Sequence, residues 1–375
     1  MELELSDEQQ VFLDATRRLL AAECPPSAVR ALEHHPDGFD AGTWERGAGL
    51  GWTSLLVPEA DGGGALSRHG LSDLVLVAEE FGRTVAPGPL LPVNVVADAL
   101  ARRGTDAQRG QVLPGLLSGT AVAAWCGRHP VAGRRDGDGL VLSGTCSPVE
   151  AAARADHLLV GVAHDGGTSQ VLVPAGTAGV TVTPMAGLDL VRRFAEVRFD
   201  EVRVPADGVV GEPGAASADV ERALQVACVL QCAEMVGVMD HVLSMTIEYL
   251  GDRWSFGRPL ASYQALKHRV ADDRVVLETC HAIATGAARA VAAEQDDAAE
   301  LTSAAKAWIG PRATELVQDC VQLHGGIGVT WEHDLHLYLR RATTGRATHG
   351  TPQEHADRIA ALLLDDRAAP AGAAA

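Results

Sequence analysis

From Ser6 to about Leu117 the apolar residues of this chain recur at helical spacing. Phe12, Thr16, Leu19 and Leu20 fall on one side of a first helix, and Ser6 followed by Gln9 has the form of a capping box at its start. A second helix is predicted over about Leu71 to Phe81. Pro58 and the run Gly62, Gly63 and Gly64 mark a loop between the two, and Pro87, Pro89 and Pro92 mark a break before the next helix.

From about Thr120 to Val210 the pattern shortens to β-rich runs, AVAAWC, GLVLSG, HLLVGVA and QVLVP, separated by Gly, Pro and Asp. The segment from Phe194 to Asp200 alternates, with Ala195, Val197 and Phe199 on one face and Glu196, Arg198 and Asp200 on the other. The connections are too short for helical crossovers, so antiparallel pairing is predicted.

The helical period returns from Ala218. Residues 221–250 are apolar almost all round, which predicts a helix buried between neighbours. Another helix covers about Ala299 to His324 through Leu301, Ala305, Trp308, Leu316 and Cys320; Pro311 is a point of bending and Gly325-Gly326 ends it. The last ten residues, DRAAPAGAAA, lack apolar bulk and predict a disordered tail. The predicted division is a helical domain over 1–118, a β-domain over 119–215, a helical bundle over 216–365 and the tail over 366–375, an α+β chain.

Composition narrows the function classes. A chain of 375 residues buries enough surface to fold without a metal or disulfide. Its net charge of −18 argues against nucleic acid or an anionic membrane as partner, because both are polyanions. Seven cysteines without a Cys-x-x-Cys pair read as reduced thiols, with Cys228 and Cys232 in the core. The longest apolar stretch, Ala223 to Met239, is interrupted by Gln225, Gln231 and Glu234, which argues against a membrane span. The acidic start MELELSDEQQ lacks a basic leader and an apolar core, so a cytoplasmic location is expected. No histidine cluster, including His333 and His336, has convincing metal spacing, and no metal site is predicted.

Two segments carry more specific information: RWSFGRPL (Arg253 to Leu260) and QLHGGIG (Gln322 to Gly328). Together with LVPEADGGG (56–64), AEEFGRTVAPGPL (78–90), LDLVRRFAEVRFDEVRVPADGVVGE (188–212) and YQALKHRVADD (263–273), they resemble the acyl-CoA dehydrogenases over nearly the whole chain. The resemblance implies an N-terminal helical domain, a central antiparallel β-domain and a C-terminal four-helix-type bundle. It implies FAD as the cofactor, which takes a hydride from Cβ of an acyl-CoA while a base takes the Cα proton. It also places FAD across a subunit interface, in a dimer or tetramer that passes electrons to an external acceptor. On that resemblance Arg253 neutralises the pyrophosphate, Ser255 hydrogen-bonds it, and Phe256 and Leu260 line the adenine region with Gln264 beside them. Gln322, Gly325 and Gly326 complete the set, the glycines letting backbone approach the cofactor.

The departures from the family pattern are equally specific. Where the family carries its basic glutamate in an E-G-T triplet, this chain reads His349, Gly350 and Thr351. The family's flavin-wall stretch Gly-x-Lys-x-Trp-Ile-Thr-Asn falls on Gly144 to Ala151, which puts Pro148 at the Trp position and Glu150 at the Thr position. The segment WCGRHPVAG replaces the Thr-Glu-Pro loop that closes over flavin and substrate. The alternative base position on an earlier helix falls on Ala227, and Glu221 and Glu234 read as structural. His349 is left as the one titratable group at a base position, since a neutral imidazole accepts protons near pH 7. The leading expectation is a base-lacking subunit of a heteromeric acyl-CoA dehydrogenase, lending its ADP-binding edge to a second, glutamate-bearing subunit. By analogy with similar paired-subunit enzymes, the acyl-CoA is bulky or steroid-derived. The alternatives are an active homomer using His349 or another base, and a flavin-free scaffold or CoA-binding protein on the same fold.

Overall fold

Local sequence signals set the first elements. The computed structural model describes residues 5–368. Ser6 caps α1 (Asp7–Glu23): its Oγ accepts from the Gln9 backbone N–H at 3.2 Å, and the Gln9 side chain accepts from the Ser6 N–H at 3.0 Å. Five further helices follow, α2 (Pro26–Ala31), α3 (Ala41–Leu50), α4 (Gly70–Thr84), α5 (Leu90–Arg103) and α6 (Asp106–Leu117). Their apolar sides share one core, in which Trp52 packs edge-on against Phe81 at 5.0 Å and donates its indole N–H to Thr16.

A seven-stranded sheet comes next, formed by β1 (Ala123–Asp136), β2 (Gly139–Glu150), β3 (His157–His164), β4 (Gly167–Pro174), β5 (Val180–Met185), β6 (Phe194–Val204) and β7 (Val209–Val210). The spatial order is β5-β6-β2-β1-β3-β4-β7. The alternation predicted for β6 holds, with Ala195, Val197 and Phe199 buried and Glu196, Arg198 and Asp200 exposed. The expected all-antiparallel β-domain does not. β1 and β3 run parallel, Ala123 opposite His157, so the sheet is mixed. No helical crossover is needed because β2 itself makes the return along β1, and the turn over 151–156 only steps past the start of β1.

The remaining helices form the bundle. They are α7 (Ser217–Asp252), α8 (Gln264–Ala292), α9 (Ala298–His324), α10 (Leu335–Ala347) and α11 (Pro352–Ala368), with a small hairpin of β8 (Trp254–Ser255) and β9 (Arg258–Pro259) between α7 and α8. By length and apolarity α7 would suffice to cross a membrane, but 89% of its most apolar window is buried inside the protein. It is the central core helix, as its all-round apolarity predicted. It crosses α4 at backbone distance: a Cβ added at Gly237 would lie 1.9 Å from the Glu79 carbonyl oxygen, and one at Gly82 would lie 1.9 Å from that of Glu234. All seven cysteines are free and buried. Of the expected tail, residues 366–368 continue α11 because Asp, Arg and Ala do not break a helix. Residues 369–375 lie outside the described residues.

Candidate functional site

Where α7 ends, the chain turns outward. The β8–β9 hairpin has Phe256 (φ 50°) and Gly257 (φ 78°) at its tip, both in the left-handed region that a type I′ turn demands. A bulky residue there is strained, yet Phe256 is 97% exposed. An exposed aromatic ring held on strained backbone marks a contact surface. Arg253 and Gln264 are exposed beside it, and Ser255 and Leu260 are half-buried. The Leu260 N–H donates to the Arg253 carbonyl at 2.8 Å, and the Tyr263 hydroxyl donates to that of Ser255 at 2.9 Å. Arg253 makes no ion pair among the described residues.

The second segment lies at the end of α9. Gln322, Gly325 and Gly326 are exposed, and a Cβ at either glycine would meet open space. Tyr249, one turn before Arg253, joins the two segments: its hydroxyl donates to the His324 carbonyl at 3.2 Å and its ring stacks on the His324 ring at 4.4 Å. The eight cofactor residues expected from sequence therefore sit on adjoining segments at the C-terminal ends of α7 and α9, six exposed and two half-buried.

His349 lies elsewhere, on the turn after α10, in the left-handed region (φ 56°). Its carbonyl accepts from His355 Nε2 at 3.0 Å and from the Cys228 thiol at 3.6 Å, next to Ala227. Its ring stacks on the Trp125 indole, centroids 6.1 Å apart and planes 28° apart. The Nε2 atom is shielded from solvent and has no hydrogen-bond partner. Burial pushes the imidazole well below its ordinary 6.5, and the cations of Lys306, Arg192 and Arg128 push it the same way. The ring is neutral at pH 7. Burial likewise raises the Cys228 thiol to about 11, which keeps it inert as a nucleophile.

Trp125, Pro148, Glu150, Phe194 and His349 line a cavity of about 110 Å³. Behind it lies a chain of buried charges that the sequence did not reveal. Arg192 donates through Nε to Glu150 at 2.7 Å and through Nη2 to its other oxygen; Nη1 reaches Gln231 at 2.9 Å and Glu234 at 3.0 Å. Arg341 then bridges Glu234 at 2.7 Å and Asp189 at 2.6 Å, and donates to the carbonyls of Val85 and Ala86. Thr348, the neighbour of His349, donates to Gln231 at 3.0 Å. Burial pushes the Asp189 carboxyl up, but the Arg341 guanidinium and the N–H groups of Val191 and Arg192 outweigh it and hold the carboxyl below its usual range. A buried charge is tolerated where such partners surround it.

FAD, the cofactor implied by the sequence, fits one half of this geometry. The outer segments offer an unpaired guanidinium, an exposed aromatic ring and two glycines open to close approach. The inner half does not fit. A cavity of about 110 Å³ is small beside the roughly 300–1,000 Å³ of pockets that enclose cofactor-sized ligands. Glu150, at the expected Thr position, is tied up by Arg192.

Two family models match the chain, "Acyl-CoA dehydrogenase, N-terminal domain" over residues 6–120 and "Acyl-CoA dehydrogenase, C-terminal domain" over residues 218–364. Acyl-CoA dehydrogenase IpdE2 of Mycobacterium tuberculosis is 31% identical over 366 residues, covering 94% of this chain and 96% of that protein. IpdE2 of Mycolicibacterium smegmatis is 29% identical over 365 residues, covering 96% of this chain and 100% of that protein. Among solved structures, the ChsE4-ChsE5 complex from Mycobacterium tuberculosis is similar with a TM-score of 0.88 at 28% identity, covering 97% of this chain and 99% of that one. A variant of the Tcur3481-Tcur3483 steroid ACAD has a TM-score of 0.88 at 29% identity, with the same coverage.

Proposed function

The chain belongs to the acyl-CoA dehydrogenase family, and from that premise we propose that it is the base-lacking subunit of a heteromeric, FAD-dependent acyl-CoA dehydrogenase. The observation that carries this reading is the contrast within one chain: an outward edge that exposes Arg253, Phe256 and the two glycines, and an inner pocket of only about 110 Å³ whose Glu150 is held by Arg192. Arg253, Ser255, Phe256, Leu260, Gln264, Gln322, Gly325 and Gly326 hold the ADP portion of an FAD whose ring rests on the second subunit. That subunit carries the glutamate that takes the Cα proton, while bound FAD supplies the hydride acceptor for Cβ. An interfacial cofactor requires at least a dimer, and an external acceptor then takes the electrons.

The substrate class follows from similarity. Likeness at about the same level to a steroid ACAD and to a two-component complex supports a bulky, steroid-derived acyl-CoA thioester. Seven cysteines, all free and buried, favour a reducing compartment such as the cytoplasm. His349 is not assigned the base role, because its Nε2 is shielded and unpartnered.

Replacing Arg253 with Ala tests the edge. The mixed assembly is expected to lose most of its flavin absorbance, with affinity weakened about tenfold or more, while this chain alone unfolds at the same temperature as before. Unchanged flavin content would contradict the reading.

A further inference from the structure

We propose that Trp125 is a built-in plug, whose indole fills this chain's own ring pocket and bars a flavin ring from it by occupation. The inference deepens the half-site reading, giving the physical reason why the inner half stays empty of cofactor.

Three observations carry it. Along β1, Ala124 and Cys126 enter the core of the sheet while Trp125 points the other way, into the core shared with the helices. There Trp125 is buried, 7% exposed, and it lines the cavity together with Pro148, Glu150 and His349. Next, the indole folds back onto its own strand at Gly127, where a Cβ would lie 2.0 Å from Trp125 Nε1. Any other residue at 127 would push the ring away, so the seat depends on a glycine two positions on. Finally, the ring meets the His349 imidazole, and Trp125 Nε1 and His349 Nε2 are both shielded with no hydrogen-bond partner. Polar atoms are seldom buried without a partner. Here the two rings lie nearly parallel, 6.1 Å apart, and Trp125 Nε1 is turned toward its own backbone at Gly127.

The walls around the plug are fixed. Glu150 is clamped by Arg192, which also binds Gln231 and Glu234 on α7. The Glu150 carboxylate is therefore satisfied from within the chain. Removing the indole adds the room of two fused rings to an existing cavity, in a frame that stays in place.

The test uses the full chain alone and lumiflavin, the flavin ring without its sugar and nucleotide, so that the exposed edge contributes nothing. Binding is read from quenching of lumiflavin fluorescence. Wild type is expected to show no saturable binding, and Trp125→Ala to bind at least about tenfold more tightly. Indole, titrated in parallel, is expected to raise the unfolding temperature of Trp125→Ala only. Trp125→Leu, a smaller change, is read in place of Trp125→Ala if circular dichroism shows that variant to be unfolded. Lumiflavin binding by wild type equal to that of the variants overturns the proposal. So does a folded variant that binds indole but no lumiflavin, or neither. The FAD content of a mixed assembly judges the half-site reading separately, since a chain without a plug can still lend its edge.

Discussion

Glu234 accepts from two guanidiniums at once, Arg192 at 3.0 Å and Arg341 at 2.7 Å, with all three side chains largely buried. Removing one partner leaves charge without compensation. Arg341→Met strips Asp189 of its only ion-pair partner among the described residues and Glu234 of one of two, so a loss of about 3–5 kcal/mol is expected in urea unfolding. A loss below about 1 kcal/mol would show the network to be dispensable. Titration gives a second residue-scale outcome. Burial pushes His355 from 6.5 down to about 4 and pushes His349 in the same direction. The unfolded histidines bind protons that the folded ones refuse, so their contribution is full above about pH 6.5 and is lost as pH falls towards 4. Glu79, which burial raises to about 7, works the other way, favouring the folded state below pH 4.5 and losing that contribution as pH rises to 7. The net slope is therefore muted. His355→Gln is expected to lose stability less steeply than wild type between pH 6.5 and 4, and identical slopes would contradict the assignment. Glu234 was legible as structural from its place on α7. Its partners Arg192 and Arg341 were not, because they come from segments far from α7 in the chain whose local patterns say nothing about meeting it. Trp125 was hidden similarly: AVAAWC reads only as a β-rich run.

Among elements, α4 and α7 cross at backbone contact. Gly82 and Gly237 each face a backbone carbonyl of the other helix, so added bulk meets main chain and not a movable side chain. Gly237→Ala is expected to force the helices apart and cost about 1–3 kcal/mol; urea unfolding measures it, and an unchanged midpoint would show that the joint relaxes freely. The pattern of the chain had foretold the elements on either side of this joint. The Ser6 and Gln9 cap starts α1, the alternation from Phe194 places β6, and all-round apolarity buries α7. Strand order was beyond reach. Periodicity reports which face of a strand is buried and not which strand lies beside it, so the parallel β1–β3 pair escaped a reading based on connection length.

As a whole molecule, the chain is asymmetric in what it offers a cofactor. The ends of α7 and α9 present Arg253, Phe256 and the Gly325-Gly326 turn to the outside, while Trp125, His349 and the Glu150–Arg192 pair line the inside. The outer half was readable because its motifs are short and contiguous. The inner half was readable only as missing residues, since what fills the pocket is a matter of three-dimensional contact. On the proposed reading, such a chain supplies half of an interfacial site and a second subunit supplies the other half. The most direct measurement is flavin absorbance per subunit, with particle mass by light scattering, for the chain alone and copurified with a glutamate-bearing acyl-CoA dehydrogenase subunit. The prediction is a flavin-free chain alone and a mixed assembly with about one FAD for every two chains; a homo-oligomer of this chain carrying one FAD per subunit would contradict it.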